Sequence, residues 1–79
     1  DKVVFDIASY RLATSFKNKY DSMTYLFTLK DKAGNIYVWY SNKDSSDDLS
    51  KASRASAIIK EHKMFKDTKQ NVIVKVNLV

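Results

Sequence analysis

Few side chains in this sequence could do chemistry. His62 is the one histidine, set between Glu61 and Lys63. A general acid–base role would need a nucleophile or a second base at readable spacing, and none is present. A structural or merely exposed histidine is the better reading. Asp44, Asp47 and Asp48 cluster, but no turn glycine and no glutamate at EF-hand spacing accompanies them. A polar loop is therefore expected there, not a cation site. Without cysteine there is no disulfide and no thiolate metal site. Gly34 is the single glycine and there is no proline, which excludes Gly-rich phosphate loops of the G-x-x-x-x-G-K or G-x-G-x-x-G kind. No enzyme is expected, and no metal or cofactor.

The chemistry that remains is binding. The chain has 14 basic and 9 acidic residues, a net charge of +5. Arg11 and Arg54 are the only arginines, so the other cations are lysines. Lysines suit point-charge contact with a polyanion more than bidentate reading of base edges. Five Tyr, four Phe and one Trp are a heavy aromatic load for 79 residues, and some of these rings are expected on the surface. The plain alternative is that the basic excess serves solubility. No apolar run approaches the ~18 residues that span a bilayer, and no signal-peptide pattern opens the chain. The lack of cysteine fits a reducing cytoplasm.

These residues must be positioned by one small core, since a chain of 79 residues makes one domain at most. In residues 2–14, Val3, Phe5 and Ile7 alternate onto one face, whereas Tyr10 and Leu12 have the other parity. Such a switch predicts a strand with a bulge or bend, as at a barrel corner. Residues 15–22 read as a polar loop. Residues 23–30 are a strand, with Met23, Tyr25, Phe27 and Leu29 on one face. Residues 31–35 are a turn around Gly34, and residues 36–41 are the returning strand of a hairpin. In residues 42–56 a short helix is expected through Leu49, Ala52 and Ala55, capped by Ser46 or Asp47. Residues 57–65 fit the end of a helix or a strand; the polar turn at 66–71 and the strand at 72–79, where Val72, Val74, Val76 and Leu78 share a face, favour a hairpin partner. Five strands with a short helical insert between the third and fourth describe an all-β fold, a five-stranded OB-fold-like barrel over residues 1–79. An SH3-like barrel and a ββα-type α+β fold are the competitors.

Two stretches also resemble a known family. In residues 57–75 the order is Lys60, His62, Phe65-Lys66 and Lys69-Gln70 before the last strand. Upstream, TLKDKAGNIYVWYSN has an Asp-x-x-Gly-Asn turn leading to a strand that ends near Trp39. Together they resemble an OB-fold single-stranded nucleic-acid-binding domain of phage and mobile-element replication proteins. The departures are Asp67, where the pattern has glycine, and Ile58 and Asn71, where it has threonine. The resemblance implies a single-stranded DNA-binding module, with RNA the alternative ligand and other replication proteins as further partners. No membrane partner is expected, since no apolar run is long enough to span one. The start at Asp1 without Met fits a piece cut from a larger replication protein.

An OB-fold binds along strands 2 and 3, between the first loop and the loop joining strands 4 and 5. The candidate binding residues are Lys17, Lys19 and Tyr20 in the first loop, with Phe16 beside them. Thr28 and Lys30 follow on strand 2, and Tyr37 and Trp39 on strand 3. Lys60, Lys63, Phe65, Lys66, Lys69 and Gln70 complete the set in the last hairpin. Tyr37 and Trp39 would stack bases if Ile36, Val38 and Tyr40 formed the core side; otherwise Trp39 is core and Tyr40 exposed. Parity cannot decide, because both faces are apolar. The function expected is sequence-tolerant single-strand binding by lysine–phosphate contacts and base stacking. The alternative is a protein-interaction β-barrel, such as a phage inhibitor or an assembly domain.

Overall fold

Alternating apolar residues build the ladders, and bulges bend them into a closed sheet. A computed structural model describes residues 1–79, the side chain of Phe65 excepted. The strands are β1 (Lys2–Lys17), β2 (Met23–Asp31), β3 (Ile36–Ser41), β4 (Arg54–Phe65) and β5 (Thr68–Leu78), with one short helix, α1 (Ser46–Lys51), between β3 and β4. The hydrogen-bonded order is β1-β2-β3-β5-β4, and β4 closes the barrel on β1. β3 and β5 run parallel, with α1 and β4 in the crossover between them. This is the expected five-stranded OB-fold-like barrel.

The parity switch in β1 is a barrel corner. Residues 2–6 pair with β4, and from Ile7 onward the strand pairs with β2. The register with β2 slips at Ala8, which returns Tyr10 and Leu12 to positions opposite Leu29 and Phe27, and slips again at Ala13. Each extra residue turns the side chains that follow it to the other face.

Several boundaries differ from the sequence reading. β1 continues to Lys17, and the expected loop at 15–22 shrinks to a turn at 18–22. The Asn18 carboxamide builds it: Oδ1 accepts from the amides of Tyr20 (2.9 Å) and Ser22 (3.2 Å), and Nδ2 donates to Thr24 Oγ1 (3.2 Å). The turn expected at 66–71 contracts to Lys66 and Asp67, both with positive φ (50° and 64°), as a two-residue hairpin turn requires. α1 stops at Lys51, where Ala52 is already extended. Ala55, expected on the helix, lies in β4 instead.

The core is Phe5, Phe27, Leu29, Tyr37, Leu49, Ala55, Ala57 and Ile73. Small and large residues fit across one ladder: Phe5 stands opposite Ala55, and Val3 opposite Ala57. The space beside Ala55 and Ala57 is taken by rings, with Phe5 and Tyr37 stacked at 3.9 Å and 2°. Leu49 brings α1 into this core.

Candidate functional site

The β2–β3 turn decides which side of β3 faces the core. Asp31 ends β2, and its carboxylate organises the whole turn. Oδ1 accepts from the amides of Ala33 (3.0 Å) and Asn35 (2.8 Å), and Oδ2 accepts from Asn35 Nδ2 (3.0 Å) and the Tyr37 hydroxyl (3.0 Å). Gly34 supplies a φ of +90°. The ladder that follows places Leu29 opposite Tyr37 and Phe27 opposite Trp39. Directly opposed residues share a face, so both rings point inward with the core side of β2.

This corrects the stacking assignment of Tyr37 and Trp39. Tyr37 is 6% exposed and lies against Phe5. Trp39 is half-buried, 5.6 Å from Phe27, and packs on the core. Burial, then the hydrogen bond and negative charge of Asp31, push the Tyr37 phenol up to about 12. For Asp31, burial alone would raise the carboxyl pKa. The hydrogen bonds from Asn35, Tyr37 and Ala33 outweigh it and hold the group below its ordinary value.

The outer face is read from the same ladders. It comprises Thr24, Leu26, Thr28 and Lys30 on β2 and Ile36, Val38 and Tyr40 on β3. Arg11, Thr14 and Phe16 stand opposite Thr28, Leu26 and Thr24. Gln70 and Val72 of β5 flank Ile36 and Val38. Val38 (7% exposed) and Val72 (4%) are buried yet stand outside the core cluster. Neighbouring side chains therefore shield the middle of this face. Tyr40, 47% exposed, is the open ring on it, and Phe16 is a second exposed ring on β1.

The structure brings Thr28, Lys30, Lys63 and Gln70 to this face and its β5–β4 border, where Lys63 stands opposite Gln70. Lys63 pairs with Glu61 at 3.4 Å. Lys69 stands opposite Met64, on the other side of the last hairpin from Lys63 and Gln70. Lys60 is the extra residue of a bulge in β4, and Lys66 is in the two-residue turn. The placement expected for the Phe65 side chain lies outside the described residues. In the first turn Lys17 pairs with Asp21 at 3.0 Å, and Lys19 lies 5.1 Å over the Tyr20 ring. His62 is structural in its contacts. Its Nδ1 lies 2.7 Å from Asn71 Oδ1, and Asn71 Nδ2 donates to the Ile36 carbonyl (3.2 Å), linking β4, β5 and β3. The acidic insert is also tied locally: Asp44 accepts from the Ser46 amide (3.0 Å) and hydroxyl (2.6 Å), and Asp48 pairs with Lys43 at 3.5 Å.

Sequence reasoning left Arg11, Leu26 and Tyr40 out of the candidate set. The core face of β2 is unambiguous, so fixing the hairpin register would have fixed β3, and the bulge parity of β1 puts Arg11 on the side away from Tyr10. Comparison with known families, with curated proteins and with solved structures finds no match for this chain.

Proposed function

We propose that the protein binds single-stranded nucleic acid, DNA in the first instance, along the outer face of β2 and β3. The observation that carries this reading is the setting of Tyr40. Its exposed ring stands on a shielded apolar strip, with Arg11 and Lys30 on the same face and a hairpin turn bearing lysines beyond each end. A base stacked on such a ring contributes ~1–3 kcal/mol without regard to sequence. Cations near the strip meet the phosphates. A part in phage or mobile-element DNA replication, in the cytoplasm, rests on the family resemblance alone. Among the described residues no helix is long and apolar enough to cross a membrane.

A protein-interaction barrel is the second reading. Leu26, Ile36 and Val38 make much of the strip aliphatic, and Lys63 is already paired with Glu61. Fluorescence anisotropy with labelled oligo-dT, duplex DNA and RNA separates the two. Tyr40→Ala should weaken oligo-dT binding about tenfold, and Arg11→Ala should make its salt dependence shallower by about 0.7 in log–log slope. Unchanged affinity in a folded Tyr40→Ala protein would transfer the strip to the protein-interaction reading.

A further inference from the structure

A cleft of about 370 Å³ opens beside α1, on a different part of the barrel from the Tyr40 strip. Its walls include Trp39, Leu78 and Val79, and Lys43, Asp48 and Lys51 stand around it. The volume lies within the range of small-molecule sites. Three features define what it would accept. Trp39 and Leu78 are apolar surfaces against which a flat ring loses water. Among the described residues the Trp39 indole N–H has no hydrogen-bond partner, and it is not a sealed, buried donor, so it can donate to a ligand. Lys43 is engaged by Asp48 at 3.5 Å, while Lys51 has no ion-pair partner among the described residues. The main-chain oxygen of Val79 is occupied by the amides of Ser53 (2.8 Å) and Arg54 (3.2 Å).

We propose that this cleft is a second binding site, for a planar ring carrying a phosphate, of mononucleotide size. The ring lies against Trp39 and Leu78, and the phosphate meets Lys51. The site does not depend on nucleic-acid binding at the outer face. The same chemistry is offered by a free nucleotide and by the phosphorylated end of a strand.

Trp39 is the chain's single tryptophan, so its emission reads the cleft directly. The protein is titrated separately with adenosine 5′-monophosphate, adenosine and inorganic phosphate. The nucleotide should change Trp39 emission saturably, with adenosine and phosphate each binding at least about fivefold more weakly. Lys51→Glu should weaken nucleotide binding by about fivefold or more while leaving the circular dichroism spectrum and oligo-dT affinity unchanged. Oligo-dT with and without a 5′-phosphate separates the sources. A Trp39 response that requires the phosphate places a strand end in the cleft, and a response to the mononucleotide alone places a free nucleotide there. No saturable response to any phosphorylated probe, or equal nucleotide affinity in Lys51→Glu, overturns the proposal. So does a response to both oligonucleotides alike that disappears in Tyr40→Ala, because the signal would then come from the outer face.

Discussion

The turn after β2 and the turn after β4 both join antiparallel strands of one barrel, and they are held by different means. The first is organised from inside. The buried Asp31 carboxylate takes four hydrogen bonds, one of them from the core tyrosine, and the left-handed position is given to Gly34. The second is closed by the ladder, with Phe65 pairing with Thr68 across it. Its two left-handed residues, Lys66 and Asp67, both bear side chains, although aspartate tolerates that region better than most. One turn anchors the register of the face; the other presents charge at some conformational cost. Stability should therefore respond sharply to changes in the first turn and slightly, even favourably, to changes in the second.

The largest effect is expected from Asp31→Ala. It removes the acceptor for four donors and leaves the Tyr37 hydroxyl buried without a partner, a loss of roughly 3 kcal/mol by urea denaturation. A loss under 1 kcal/mol would mean that the ladder alone fixes the turn. Tyr37→Phe keeps the ring against Phe5 and removes the hydroxyl contact, at about 1–2 kcal/mol. It should also change the pH dependence. The native protein holds the Tyr37 proton more tightly than the unfolded chain, since its pKa is raised from 10.0 to about 12. This contribution is complete below pH 10 and is lost as pH rises to 12, a decline of roughly 2–3 kcal/mol. Tyr37→Phe should not show that decline. Asp31 acts in the opposite direction. Its lowered pKa stabilises the fold at neutral pH, and acidification through its folded-state pKa removes that contribution.

The backbone positions give smaller, opposed effects. Gly34→Ala should cost about 1 kcal/mol. An added Cβ would meet nothing within 4 Å, so the cost is conformational and not steric crowding. Asp67→Gly should stabilise by about 0.5 kcal/mol, the relief of the left-handed residue less the entropy of a glycine. A destabilised Asp67→Gly protein would show that the aspartate side chain holds the turn. The smallest stability change, within about 0.5 kcal/mol, is expected for Lys66→Ala with Lys69→Ala. Its readout is binding: the salt slope for oligo-dT should become shallower by up to about 0.7, one phosphate's worth, since Lys69 stands on the other side of the hairpin from Gln70. An unchanged slope would exclude the β4–β5 turn from the interface.

The sequence alone determined β2 and the last strand, because alternation has a period of two and both show it without ambiguity. It determined the barrel corner too, because a parity switch inside one strand demands an extra residue, found at Ala8. It also placed the short helix between the third and fourth strands, around Leu49. It could not determine which face of β3 is inward, because Tyr37 and Trp39 balance Ile36, Val38 and Tyr40 in apolar character. That was decided by the hydrogen bonds of Asp31, which fix the turn and so set Leu29 against Tyr37. Nor could it show that Lys69 parts company with Lys63 and Gln70, or that Lys60 sits in a bulge, since these depend on the pairing of β4 with β5. Composition and period are properties of a strand by itself. The face a residue presents belongs to a pair of strands, and only the closed sheet specifies the pair.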